Sequence, residues 1–246
     1  MSASTAVLKA ETKLFSREPG SLFWVLAFPS LLLLGFGLIP KYREVDPGLG
    51  GNRIIDFYVP SVVLVALITA SMLSMPGALT TYRERGILRR MRTTPARPSN
   101  LLTAQMVLHA AAAVLGAVLA IAVGRFVWDV ALPKHVLAYG VTLLLATLAG
   151  LAMGAVITAL ARTGKAAQAI GLAVFFPSMF AAGIYVPIQV LPDTARRIIE
   201  LIPFGAAAQA LNQAAGGSWP TWTHLAVLAL WTVVLMAIAA RWFRWE

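Results

Sequence analysis

The 246-residue sequence predicts an all-α polytopic membrane protein. It has six transmembrane helices, an N-terminal interfacial helix, and a re-entrant, short-helix outer segment before the last span. Three observations predict this. Apolar residues make up 59% of the chain and charged residues 12%, half the share of a typical soluble domain, and mean hydropathy is +0.78. Six runs of about 20 residues contain no Asp, Glu, Lys or Arg, the length a helix needs to cross roughly 30 Å of hydrocarbon. The basic residues are also shared unevenly among the segments between those runs.

The elements follow in order. Residues 5–18 place Val7, Leu8, Leu14 and Phe15 on one helical face, which suits a helix lying on the membrane surface. The spans are 21–39, 57–79, 101–123, 138–160, 166–186 and 221–240. A charge at mid-span costs at least about 2.5–3.5 kcal/mol, which explains why these runs are free of charge. The first run starts late, is too long for a signal-peptide core, and no small-residue cleavage site follows it, so no removable leader is expected. Trp222 and Trp242 bracket the last span at the two depths indoles prefer, about 30 Å apart at helical rise. Trp24, Trp128, Trp219 and Trp245 also fall near span ends, and Trp231 alone is mid-span. The outer segment 187–220 is long for a bare loop and reads as two short helices, 193–201 and 204–214, divided at Pro203. The second is apolar but too short to cross, which favours a re-entrant or interfacial helix.

Six spans put both termini on one side. Thirteen of the twenty Lys and Arg lie there, and seven on the other. The positive-inside rule then makes both termini cytoplasmic. Six of those thirteen, Arg83, Arg85, Arg89, Arg90, Arg92 and Arg97, crowd into one cytoplasmic loop, 80–100. Within it Ile87, Leu88 and Met91 share one helical face and Arg85, Arg89 and Arg92 another, which predicts a helix over 81–93. Gly86 weakens that helix by about 1 kcal/mol relative to Ala. Fixing topology and meeting anionic lipid explain the charge alone. They do not explain the ordered apolar face, Gly86 or the Thr93-Thr94-Pro95 ending. A nucleic-acid role is disfavoured, because a helix pinned between two spans has no aromatic platform and poor access to a duplex.

The pattern Glu84, Arg85, Gly86, Leu88, Arg89, Arg90, Arg92, Thr93, Thr94, Pro95 and Pro98 resembles the first cytoplasmic loop of ABC-2-type exporter permeases, the daunorubicin-type antibiotic-resistance branch above all. A second segment is similar to the stretch after that family's fifth span: Gly183, Tyr185 and Pro187, then Leu191-Pro192, then Ile202-Pro203-Phe204 before a small-residue helix. The order of parts agrees over nearly the whole chain, so residues 1–246 form a single transmembrane domain. The resemblance implies the membrane subunit of an ATP-driven exporter in a bacterial plasma membrane. It would move a hydrophobic or amphipathic drug-like compound outward with a separate ATP-binding cassette subunit and a second permease chain, identical or paralogous. ATP and Mg would belong to that partner. A lipid or lipid-linked glycan is the alternative cargo. The resemblance also makes Arg83, Glu84, Arg85, Gly86, Leu88, Arg89 and Arg92 candidate coupling residues, and it places spans two and five around the substrate path. Met72 and Met75 in span two, and Phe175, Phe176, Met179, Phe180 and Tyr185 in span five, are the candidate lining. Facing lipid or a neighbouring helix is the plainer role for the same side chains.

Other chemistry has little support in the residues. Gly164-Lys165 is followed by Ala166 and lacks the upstream glycine of a phosphate-binding loop. Cysteine is absent, the three histidines (His109, His135, His224) are scattered, and no nucleophile–base pair stands out. No catalytic residue and no metal site are expected, and the chain is not read as an enzyme. An ion-coupled secondary transporter is the rival from another class; it would need intramembrane ionisable groups, and only His109 lies deep in a span. In span four, Ala146, Gly150 and Gly154 at four-residue spacing predict close helix packing.

Overall fold

The computed structural model describes residues 3–91 and 98–242. Ten helices follow one another: α1 (Ala3–Phe15), α2 (Pro19–Gly37), α3 (Ile54–Glu84), α4 (Ile87–Met91), α5 (Pro98–Trp128), α6 (Val136–Leu160), α7 (Gly164–Ala181), α8 (Asp193–Ile199), α9 (Pro203–Gly216) and α10 (Trp222–Trp242). Among the described residues the sheet is one antiparallel pair, Val45–Asp46 with Asn52–Arg53. Five helices, α2, α3, α5, α6 and α10, are long and apolar enough to cross a membrane. The predicted span 166–186 corresponds to α7, whose 18 residues include Lys165, Gln168 and Pro177 and are correspondingly less apolar.

The centre of the bundle is α3. Of its most apolar stretch 78% is buried, against 22% for α2 and 28% for α10. Two wide π-helical turns shape the packing, Phe23–Ala27 in α2 and Ala70–Ser74 in α3. Each is followed by a proline, Pro29 and Pro76. A proline lacks the N–H that would bond the carbonyl four residues back, and its ring crowds that carbonyl. Widening the turn around Val25 and Met72 relieves the conflict. The carbonyls so displaced are met by glycines of neighbouring helices. A Cβ on Gly116 would lie 2.5 Å from the Val25 oxygen, one on Gly171 2.5 Å from the Met72 oxygen, and one on Gly154 would overlap the Ser71 oxygen. Gly150 and Gly154 thus seat α6 against the π-turn of α3, inside one chain.

The outer segment forms the two expected short helices. The second, α9, is buried along Phe204, Ala207, Ala208 and Leu211 and packs on α6, α10 and α3. Trp231 lies nine residues into α10, about 13 Å along its axis from Trp222 at helical rise. Its indole Nε1 donates to the Leu201 carbonyl at 2.9 Å. The α8–α9 turn is therefore level with the middle of α10, and the mid-span tryptophan has its polar partner there.

One expectation is corrected. The helix over 81–93 is divided: α3 runs on to Glu84, Gly86 takes a left-handed conformation (φ +64°), and α4 starts anew at Ile87. Gly86 terminates the helix, because glycine enters that region without the steric cost a Cβ imposes. On α1 the expected apolar residues Val7, Leu8 and Phe15 are half-buried around the buried Glu11, while Leu14 is 52% exposed. Arg92, Arg244 and Trp245 lie outside the described residues, as do the Thr93, Thr94 and Pro95 of the loop motif.

Candidate functional site

The elbow between α3 and α4 is built by three consecutive devices. Arg85 N donates to Thr81 O, and Gly86 N to Arg83 O, each at 3.0 Å, closing the last turn of α3. Arg90 N then donates to Gly86 O at 3.1 Å, starting α4. Leu88 is buried at 4% exposure and fixes α4 to the bundle, while Arg85 stands exposed. Arg89 falls within α4; its side chain, like Arg92, is outside the described residues.

Half-buried Arg83 and exposed Glu84 both reach the connection between α6 and α7. Arg83 Nη1 donates to Thr158 O at 3.2 Å and to Ala161 O at 2.6 Å, where the carbonyls at the C-terminus of α6 lack helical partners. Glu84 Oε1 accepts from Gly164 N at 3.0 Å, at the N-terminus of α7. A cation at a helix C-terminus and an anion at a helix N-terminus both suit the helix dipoles. Two adjacent residues of one helix therefore hold the facing ends of two others, and α3, α6 and α7 meet in one rigid joint.

Sequence reasoning missed the third strand of this joint. Glu11 of α1 accepts hydrogen bonds from the Tyr82 hydroxyl (2.8 Å) and from Gln105 Nε2 of α5. Burial raises the Glu11 carboxyl above its ordinary range, against the two hydrogen bonds, which favour its charged form. The available signal was a lone acid among the lysines of α1; its partners lie 71 and 94 residues away.

His109 is part of the same junction. Its Nδ1 donates to Gln105 O at 2.9 Å, since a carbonyl only accepts. Its Nε2 lies 3.1 Å from Ser74 Oγ, Ser74 Oγ is 3.1 Å from Ser21 Oγ, and Ser21 donates to Glu18 Oε2 at 3.1 Å. Phe15 of α1 stands edge-on to the imidazole at 5.5 Å. The ring is thus held by its own helix at Nδ1 and by Ser74 of α3 at Nε2.

The candidate path residues are divided between two environments. Met72, Met75 and Met179 are buried within the chain, and Phe175 packs against the core. Phe176 and Phe180 are 56% and 43% exposed, and with Leu172 and Tyr185 they form an apolar strip on the outer face of α7 and the turn after it. Among the described residues no cluster of three His, Asp or Glu converges on a metal-sized site.

Comparison with known proteins supplies a relationship for this architecture. Residues 3–214 match the ABC-2 type transporter family. YvfS of Bacillus subtilis (strain 168), named as a transport permease, is 26% identical over 235 residues, covering 94% of this chain and 92% of its own length.

Proposed function

Because the match spans residues 3–214, the chain belongs to the ABC-2 type transporter family, a multi-pass membrane family that works with an ATPase subunit, and we propose that it is the permease subunit of an ATP-driven exporter. The observation that carries this reading is the α3–α4 elbow. Gly86 swings α4 away from α3, leaving Arg85 exposed, while Arg83 and Glu84 grip the α6–α7 turn. A push on α4 from an ATPase subunit moves the ends of α3, α6 and α7 together. Glu11 adds α1 to the same lever.

In this reading α7 is the fifth of six spans, with Lys165 at its cytoplasmic start, and both termini are cytoplasmic, α1 lying on the inner surface of a bacterial plasma membrane. The α8–α9 turn enters the outer leaflet, supported by its level against Trp231. The working unit contains two permease chains. The cargo is hydrophobic or amphipathic, and Phe176 and Phe180 meet it where the two copies face one another. The test is reconstitution with an ATPase subunit. Phe176→Ala and Phe180→Ala should change which compounds stimulate ATP hydrolysis; an unchanged profile assigns the strip to lipid contact.

One observation favours an ion-coupled carrier as a second reading: the chain of hydroxyls from exposed Glu18 through Ser21 and Ser74 to buried His109. Transport that stops when the proton gradient is collapsed, with ATP held constant, selects that reading over the first.

A further inference from the structure

At the end of the bundle that carries the elbow, a cavity of about 640 Å³ opens between α3, α6 and α10, lined by Arg83, Glu84, Ala159, Leu160, Arg162, Arg241 and Trp242. Three guanidinium groups share it with a single carboxylate. Glu84 has an oxygen committed to Gly164 N, and Arg83 is held in place by the Thr158 and Ala161 carbonyls. Arg162 and Arg241 are exposed, and among the described residues neither has an ion-pair or hydrogen-bond partner. Among the described residues the cavity therefore carries an excess of positive charge, with Arg162 and Arg241 not paired to any acid.

The walls are unlike those of a site for a soluble anion. Leu160 is 46% exposed and Trp242 53% exposed beside the arginines. Elsewhere on α10 the exposed surface is also apolar, with Val233, Val234 and Met236 each at least 40% exposed. A tryptophan at a helix end marks the boundary between headgroups and hydrocarbon. Positive charge at that boundary, beside the exposed Leu160 and Trp242 and next to an apolar helix, matches a phosphate tethered to acyl chains: the phosphate enters the cavity and the chains extend into the hydrocarbon around α10. Basic pockets between membrane helices on the cytoplasmic side hold lipid headgroups by this combination.

We propose that this cavity is a binding site for the phosphate headgroup of an anionic phospholipid. The site rests on the cytoplasmic orientation given above and adds a ligand to it. Because Arg83 and Glu84 line the cavity and also hold the α6–α7 turn, a bound headgroup loads the same joint that α4 would move. Anionic lipid is then a ligand of the elbow as well as a solvent for the helices.

The test uses the full-length permease alone, so its failure leaves the transport reading standing, and a failed transport assay leaves this one standing. Retention of dioleoyl phosphatidylglycerol and dioleoyl phosphatidylcholine is compared by native mass spectrometry. In Arg162→Gln/Arg241→Gln the phosphatidylglycerol affinity should fall about thirtyfold, two basic contacts being removed, with phosphatidylcholine unaffected. The control Lys9→Gln/Lys13→Gln removes equal charge from exposed positions of α1 and should leave phosphatidylglycerol bound. Arg162→Lys/Arg241→Lys, which keeps the charge and guards against a folding artefact, should restore most of the affinity. Equal losses in both glutamine pairs mean surface attraction only and overturn the site. Displacement by glycerol 3-phosphate at matched concentration identifies a soluble phosphate ester and overturns the lipid assignment. Undiminished phosphatidylglycerol retention in Arg162→Gln/Arg241→Gln likewise overturns it.

Discussion

Replacing Gly86 with Ala tests whether the break at the elbow matters. Gly86 has φ +64°, and a Cβ built on it meets no atom within 4 Å. The perturbation is therefore confined to the backbone. An L-residue in the left-handed region costs roughly 1–2 kcal/mol. If α3 and α4 instead fuse through position 86, Ala favours the fused helix by about 1 kcal/mol over Gly. Together these shift the balance between bent and straight elbows by about 2–3 kcal/mol, on the order of 30- to 160-fold. A straight elbow withdraws Leu88 from its buried seat and re-aims Arg85 and Arg90. The assay is substrate exported per ATP hydrolysed, in vesicles holding the permease and its ATPase subunit. Gly86→Ala should lower that ratio severalfold while membrane insertion stays normal. Gly86→Asn should retain most of it, because Asn tolerates the left-handed conformation. Equal coupling in the wild type and Gly86→Ala, or equal loss in the Ala and Asn variants, would refute the argument from backbone conformation.

Three further outcomes are expected. Arg83→Gln removes charge-assisted bonds to Thr158 O and Ala161 O, each worth about 1.5–3 kcal/mol when buried and less at this half-exposed site. Hydrogen exchange at the end of α6 should quicken, and unchanged protection argues against the clamp. Gly154→Val drives a side chain into the Ser71 carbonyl of the α3 π-turn and should destabilise the bundle by about 1–3 kcal/mol, seen as a lower melting temperature in detergent. Burial raises the Glu11 carboxyl in the folded state, so the stability it contributes is complete below its unfolded value of 4.5 and is lost as pH rises through the raised one. Protection of α1 against exchange should accordingly fall with rising pH across that window, and Glu11→Gln should flatten the dependence.

The sequence was most informative where structure depends on local composition. A run of 20 apolar residues must satisfy its backbone internally in lipid whatever its neighbours are, and five of the six predicted spans coincide with helices long and apolar enough to cross. The bend at Gly86 was less legible. A propensity scale assigns glycine a penalty within a helix, but a change to positive φ depends on where the next helix finds its seat, here at Leu88. Arg83 and Glu84 stood out as part of a basic motif, yet their partners lie 78 and 80 residues away. Nothing in the spacing of the loop could reveal that they face the bundle. Met72 and Met75 follow the same logic: their helix was legible, and their burial depends on Gly171 and Gly154 of helices that the sequence alone does not bring alongside.

The central claim is that α4 and the exposed face of the elbow lie against a separate ATPase subunit. The chain contains no cysteine, so single cysteines at Arg85 and, as an outer control, at Asp193 each provide one unambiguous attachment point. With a short bifunctional reagent and the reconstituted ATPase subunit, Arg85→Cys should form a cross-linked heterodimer whose yield changes with ATP, and Asp193→Cys none. Cross-linking from Asp193 and not from Arg85, or from neither while transport proceeds, contradicts the account.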